Sequence, residues 1–386
     1  MRIALFSDFS LAQITGISNS LKTLMRGLEA RGHAVCVVEP AVRGLSKTKE
    51  TLKHISLPSV GLPGGSEFRF TLPFGIPKDL IDFHPDIIHT QTFGTVGFQA
   101  VRVAKKLKLP LIGTEHSKPA DYAHYTHLNY RWMREGLKKF AANYYRRCDL
   151  VTAPSTDVRD ELRAYGVTRE IVVVSNPVET KLFRPAEDRA GLKRKFGITK
   201  PSVLCFGRLA REKNIGELIE AFAIAVKDGA DAELVIIGTG PMESELKARA
   251  RELGIAGVTR FLGFLKDEEL VQAINANDVY LITSRSETQS MTTMQAMACG
   301  LPVVAVRCGA LPEYVTDGVN GFLFEPGDVT KCAQCLKKVL SDHRMREKFA
   351  QESRKTAECY SVESVVNRME EIYSSAKKTH ETGLVK

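Results

Sequence analysis

The chain has 386 residues, 44% of them apolar, and a formal charge of +9 from 54 basic and 45 acidic side chains. That length exceeds one typical domain, and the composition is that of a globular protein. The apolar runs fall short of the ~20 residues needed to span a bilayer. The positive balance favours an anionic partner: nucleic acid, acidic lipid or a phosphorylated substrate. The eight cysteines are scattered, with Cys332-Ala333-Gln334-Cys335 the sole C-x-x-C and no second pair to complete a zinc site. They read as reduced thiols, and the pair as a structural helix face.

In chain order, Ile3–Ser7 reads as a buried strand, and the N-terminus turns polar too soon for a signal peptide. A cytoplasmic location is therefore expected. Leu21, Leu24, Met25 and Leu28 give helical spacing over Ile17–Arg31, with Gly32 placed to end it. Strands follow at Ala34–Glu39, Ile87–His89, Leu111–Thr114, Leu150–Ala153 and Ile171–Val174, separated in several places by helical patterns. From Asn176 to Pro201 the rhythm gives way to a charged, proline-punctuated stretch with a small helix near Arg189–Phe196.

The alternation then resumes. Strands are expected at Val203–Phe206, Glu233–Ile237, Arg260–Leu262, Val279–Thr283 and Val303–Val306. Helices are expected near Ile215–Val226, Met242–Leu253, Asp267–Asn275, just before Gly300, and at Val362–Ser375. Such order predicts two doubly wound α/β domains in series.

The densest chemistry lies in Ser286-Glu287-Thr288-Gln289-Ser290-Met291-Thr292, where a carboxylate on a polar loop leads into a helix stopped by Gly300 and Pro302. Helix starts carry free N–H groups and bind anions. A carboxylate beside such a start suits a ligand with phosphate at one end and hydroxyls at the other, such as a nucleotide sugar. Arg208 and Lys213 lie between a strand and a helix. They either clamp a diphosphate leaving group or are surface cations paired with Glu212 or Glu217. Gly238-Thr239-Gly240 fills another strand-to-helix turn, where glycine lets backbone approach a ligand or simply makes the turn.

Gly16 opens a helix after the first strand, but the chain has Gly16-Ile17-Ser18-Asn19-Ser20 in place of the G-x-G-x-x-G of a dinucleotide site. His116, past a strand end, can serve a sugar hydroxyl, act as acid or base, or be structural. His89 reads as structural. Tyr130–Arg147 combines six cations and one acid with interleaved aromatics. It is either a helix for an anionic membrane surface or one with buried aromatics and solvated cations, and Lys105, Lys106 and Lys108 extend its basic character.

Together these segments resemble the retaining GT-B glycosyltransferases with an E-x7-E signature (glycosyltransferase group 1). The resemblance runs from the Gly16 loop to Gly318-Val319-Asn320-Gly321-Phe322-Leu323. Gly16–Leu24, Asp86–Thr92, Thr114–Ser117 and Asp121–Tyr125 look like bacterial glucosyl- and mannosyltransferases that act on lipids.

The resemblance implies an α/β fold of two Rossmann-like domains facing a central cleft. Residues 1–176 would form an acceptor-side domain, 177–200 a linker, and 201–358 a donor domain. Residues 359–386 would be a helix crossing back to the first domain. Arg208 and Lys213 would hold the donor diphosphate, and Glu287 the donor sugar. Amides around Gln289, Ser290, Met291 and Thr292 would help hold sugar and phosphate, with Gly238 and Gly240 in the same site. Phe264 and Leu265 would flank the base. Gly16 would admit the diphosphate, and His116 would contact the sugar near the reacting carbon.

The second signature glutamate, which bonds the donor ribose in the family, is Gln295 here. Glutamine keeps an acceptor and loses charge assistance, which implies about 1–2 kcal/mol weaker donor binding. The implied activity is retaining transfer of a hexose, from a UDP-glucose or GDP-mannose type donor, to a lipid hydroxyl such as that of diacylglycerol. No cofactor, metal or nucleic acid is called for, and the enzyme would be peripheral at the inner membrane face. Transfer to a soluble or polysaccharide acceptor, or an impaired sugar-nucleotide binder, are the competing readings.

Overall fold

The computed structural model describes residues 1–13, 15–42, 53–61, 69–72, 75–118 and 131–382. Tyr130 and the Asp121–Tyr125 segment lie outside them. The chain forms two compact units, Met1–Pro177 with Val362–Lys386, and Val178–Ser361.

In the first unit the strands are β1 (Arg2–Phe6), β2 (Ala34–Pro40), β3 (Lys53–Leu57), β4 (Ser59–Gly61), β5 (Arg69–Thr71), β6 (Ile87–Thr90), β7 (Leu111–Thr114), β8 (Leu150–Ala153) and β9 (Ile171–Val173). The helices are α1 (Gly16–Ala30), α2 (Lys78–Phe83), α3 (Thr95–Leu107), α4 (Arg131–Tyr145) and α5 (Thr156–Ala164). Among the described residues the main sheet is parallel, in the order β3-β2-β1-β6-β7-β8-β9, and β4-β5 is a separate antiparallel pair. Its central strands β6, β7 and β8 are buried at every position, His89, Thr90, Thr114 and Thr152 included, because both faces are covered.

Helix α1 starts where the Thr15 side chain accepts a hydrogen bond from the Ser18 amide and ends before Gly32, whose φ is +82°. Leu21, Met25 and Leu28 are fully buried, a face whose burial stabilises by about 1.5–3 kcal/mol per side chain.

In the second unit α6 (Arg189–Lys195) precedes β10 (Ser202–Phe206), α7 (Ile215–Lys227), β11 (Glu233–Ile237), α8 (Glu243–Glu252), β12 (Thr259–Gly263) and α9 (Asp267–Asn275). Then come β13 (Val279–Ile282), α10 (Met291–Ala298), β14 (Val303–Val306), β15 (Gly321–Phe324), α11 (Val329–Ser341) and α12 (His343–Glu358). The parallel sheet runs β12-β11-β10-β13-β14-β15.

Within the stretch read as a linker, Val178, Phe183 and Ile198 are buried in this unit's core, and Val178 bridges to Ser361. Apolar anchors thus place residues 178–200 in the second unit. Cys332 and Cys335 are buried on α11, and burial raises both thiols. Among the described residues no helix is long and apolar enough to cross a membrane.

The last helix, α13 (Val362–Glu381), packs on α1 in the first unit, burying Val365, Val366, Met369, Ile372 and Tyr373. A Cβ on Gly27 of α1 would lie 2.6 Å from Val362 Cγ1 and 2.7 Å from Val366 Cγ2. Gly27→Ala gains about 1 kcal/mol of helix propensity but overpacks the α1–α13 contact, which costs about 1–3 kcal/mol. A lowered melting temperature is the expected result, and an unchanged or raised one would show that the helices yield freely.

Candidate functional site

In the second unit the sheet order reverses between β10 and β13: the chain builds outward from β10 to β11 and β12 on one side and from β13 to β14 and β15 on the other. The carboxyl ends of such neighbouring strands form the crevice in which open α/β sheets bind ligands. After β10 the chain turns through Gly207 (φ +138°) to Arg208, makes a short 3₁₀ turn over Arg211–Lys213, and enters α7 through Asn214 (φ +49°). Thr283, just after β13, donates from its hydroxyl to the carbonyls of Lys213 and Asn214 at 3.1 and 3.0 Å. The two strand ends are tied together by this side chain.

Glu287 follows on the same loop. Its Oε1 accepts a hydrogen bond from Lys213 Nζ at 2.7 Å, and the residue is 7% exposed. Burial opposes its charge, but the Lys213 ammonium at 2.7 Å outweighs that and holds the carboxyl below the ordinary carboxylate range. Neither Glu212 nor Glu217 takes Lys213 as sequence alone allowed; Glu217 pairs with Arg285. Arg208 is exposed and makes no ion pair among the described residues.

Ser290 caps α10, its Oγ accepting from the Thr293 amide. Its own amide donates to Tyr314 Oη at 3.0 Å, so that N–H serves the fold. A helix start has no carbonyl for its first amides, which leaves those of Met291 and Thr292 without intrahelical partners. Gln289 is buried. Gln295 lies one turn further along α10 and is partly exposed. Just after the edge strand β12, Phe264 is exposed, while Leu265 packs against the core.

Gly238 (φ +128°) and Gly240 have a specific structural reason. A Cβ on Gly238 would lie 1.9 Å from the Gly207 carbonyl oxygen, and one on Gly240 2.3 Å from that of Leu209. The turn after β11 thus lies directly against the Arg208 turn, joined by Gly207 N–H to Ile237 O and Leu209 N–H to Thr239 O, both 3.0 Å. Sequence reasoning missed a third such residue. A Cβ on Gly309, after β14, would lie 2.5 Å from the Glu287 carbonyl oxygen, which also accepts from the Ala310 amide at 2.9 Å. The signal for it was the Gly309-Ala310-Leu311-Pro312 turn after a buried strand.

His116 and Gly16 belong to the first unit. Gly16, at the start of α1, has open space where a side chain would be. His116 Nε2 lies 2.8 Å from Gln91 Oε1, and Asn176, which accepts from Ser20 Oγ at 2.7 Å, also hydrogen-bonds the ring. Burial lowers the imidazole to about 4, so it is neutral at physiological pH and suited to hydrogen bonding more than to shuttling protons. The adjoining Glu115 is pushed up to about 7 by burial, against bonds from Ser117 and Tyr145. His89 is buried between Tyr373 Oη at 2.7 Å and Thr114 Oγ1 at 2.6 Å, a packing residue that ties α13 to the sheet.

Gln91, 2% exposed, is another residue the sequence reading passed over. It orients His116, so Gln91→Leu is expected to lower kcat roughly tenfold with little change in melting temperature. Full activity would separate the histidine's orientation from turnover.

In α4 the aromatics divide. Tyr144 and Tyr145 are fully buried, whereas Trp132 is 73% and Phe140 46% exposed. Around the latter pair Arg131, Arg134, Lys139 and Arg147 are exposed, and Lys138 pairs with Glu135.

The family model described as Glycosyl transferases group 1 matches residues 188–356, and that described as Glycosyltransferase Family 4 matches residues 14–182. The alpha-monoglucosyldiacylglycerol synthase of Streptococcus pneumoniae is 32% identical to this chain, over 84% of it and 75% of the synthase. The sulfoquinovosyl transferase of Arabidopsis thaliana is 29% identical, over 99% of this chain and 76% of that protein. Among solved structures, Anabaena HepE, determined in complex with UDP, superposes with a TM-score of 0.80 at 21% identity, over 97% of this chain and 100% of HepE. That structural likeness shows the fold, two Rossmann-like parallel-sheet domains of the GT-B type. With both halves matched and a relative of that identity covered over most of its length, the chain belongs to the group 1 glycosyltransferases.

Proposed function

We propose that the protein transfers a hexose from a nucleoside diphosphate donor to a lipid hydroxyl, with retention of anomeric configuration. In this reading Arg208 and Lys213 bind the donor diphosphate and stabilise it as the bond from sugar C1 to phosphate oxygen breaks. Glu287 and the Met291 and Thr292 amides hold the sugar and the adjoining phosphate. Gln295 reaches the ribose, Phe264 and Leu265 flank the base, and neutral His116 donates or accepts a hydrogen bond at the sugar. The acceptor oxygen forms the new bond to C1 on the face the diphosphate leaves, and its proton passes to the departing phosphate oxygen. Two fixed cations supply the charge the leaving group needs, so the reaction is written without a metal.

The observation that carries the donor half is the Glu287–Lys213 pair at the start of α10. A lipid acceptor is supported by the likeness to an alpha-monoglucosyldiacylglycerol synthase. The exposed Trp132 and Phe140 among the cations of α4 are suited to an anionic membrane surface, apolar rings at the acyl boundary and cations at the headgroups. On this reading the enzyme works on the cytoplasmic face of a membrane.

The test is a panel of UDP-glucose, UDP-galactose and GDP-mannose with total lipid extract. It is read by product mass and by the anomeric proton, with flotation on anionic liposomes alongside. A glycolipid of the donor's configuration and a floating enzyme are expected. Transfer confined to soluble sugars, without flotation, overturns the acceptor assignment; an inverted product overturns retention.

A further inference from the structure

Lys213 and Arg208 sit on one turn, yet only one of them is engaged by the chain. Arg208 is exposed and makes no ion pair among the described residues, while Lys213 donates to Glu287 at 2.7 Å. Glu287 is 7% exposed, and its backbone is fixed by the Gly309-Ala310 turn. The carboxylate therefore stays in place, and any diphosphate has to compete with it for the lysine.

Two ligands meet this competition differently. A nucleoside diphosphate without sugar brings acceptors alone. Either it shares the ammonium with a carboxylate of its own charge, or it takes the lysine and leaves a buried carboxylate unpaired, and both are unfavourable. A nucleotide sugar brings hydroxyl donors next to its diphosphate. One of them can replace Lys213 as the donor to Glu287, and the lysine's three N–H groups can turn to phosphate.

On the reading of this site given under Proposed function, we infer that the Glu287–Lys213 ion pair discriminates the intact nucleotide sugar from the nucleoside diphosphate left after transfer. Sugar recognition releases the lysine for the diphosphate. Once the sugar has moved to the acceptor, Glu287 recovers the lysine and the spent nucleotide loses one of its two cations. Glu287 thus acts as a positioning residue for Lys213 as well as a sugar ligand, and the pair limits product inhibition.

Calorimetric titration of wild type and Glu287→Gln with UDP, UDP-glucose, GDP and GDP-mannose tests this. Glutamine keeps the size and an acceptor oxygen but loses the charge. The nucleoside diphosphate is expected to bind Glu287→Gln roughly tenfold more tightly than wild type, and the nucleotide sugar no more tightly. Diphosphate affinity that is unchanged or weaker in Glu287→Gln overturns the inference.

Lys213→Met gives an independent check, with thermal melting to show that each variant folds. It should weaken the nucleotide sugar more than the diphosphate, whereas Arg208→Met should weaken both alike. Equal losses in Lys213→Met would also overturn it. If wild type binds none of the four nucleotides, the reading of the site fails instead, and the two failures are distinguishable.

Discussion

Glu287→Ala is expected to lower kcat/KM for sugar transfer by roughly 10²–10³-fold while the protein keeps its fold. The carboxylate is the acidic group on the loop leading into α10, with its carbonyl held by Ala310 and its side chain 9% exposed. On the proposed function, alanine removes the acceptor for the sugar's hydroxyls without disturbing that backbone. It leaves Lys213 without its carboxylate, but the lysine side chain is 34% exposed and can be solvated, so the stability change is expected to stay within about 1–2 kcal/mol. Product mass from a fixed amount of donor, with a melting curve for each protein, reads the outcome. A folded and fully active variant would remove Glu287 from the reaction. Nucleoside diphosphate should still bind Glu287→Ala, because both cations remain, so transfer and nucleotide binding should separate.

Gly238→Ala should have the second-largest effect, through a residue that presents no functional group. Its φ of +128° is strained for any L side chain, and the added methyl would lie 1.9 Å from a backbone oxygen of Gly207. Such an atom cannot rotate out of the way, so the turn carrying Arg208 and Lys213 must move. Backbone strain of this kind costs about 1–3 kcal/mol, and a shift near 1 Å in a phosphate-binding group can cost roughly 10²-fold in rate. The expected result is a lowered melting temperature, weaker nucleotide binding and about a hundredfold loss of kcat/KM. Gly216→Ala is the control. It lies in α7 with open space at its Cβ position and an ordinary φ, and should be neutral or gain up to about 1 kcal/mol. Equal effects of the two substitutions would show that the close approach at Gly238 is unimportant.

Much of the fold was legible because its central strands are buried on both faces. Val203–Phe206, Glu233–Ile237 and Val303–Val306 are apolar blocks between helical patterns, and β10, β11 and β14 lie there. Strand β3 was missed because it is an edge strand burying Ile55 and Leu57 alone, within Lys53-His54-Ile55-Ser56-Leu57. Helix α12 was not named because it is polar nearly all round and buries only Phe349, Ser353 and Ala357.

The site shows a similar division. Glu287 is conspicuous on its loop, and the start of α10 follows from the cap residue Ser290. The partnership of Glu287 with Lys213, 74 residues away, depends on β10 and β13 being neighbours, a property of strand order that no local pattern contains. For the same reason the glycines at 238, 240 and 309 could be noticed in the sequence, but the carbonyls they face could not.

The position of α13 also bears on the order in which the protein forms during synthesis. The first unit draws on both ends of the chain, whereas Val178–Ser361 is one uninterrupted segment. When the ribosome has made residue 177, the α1 face carrying Leu21, Met25 and Leu28 still lacks Val366, Met369 and Tyr373. That half-core stays uncovered until α13 has been made. The second unit has by then all the chain it needs, and the Val178–Ser361 bridge brings its two ends together, shortening the effective loop that must close for α13 to reach α1. The N-terminal unit is therefore the later of the two to be completed, and the nascent chain carries an exposed apolar face while residues 178–361 are being made.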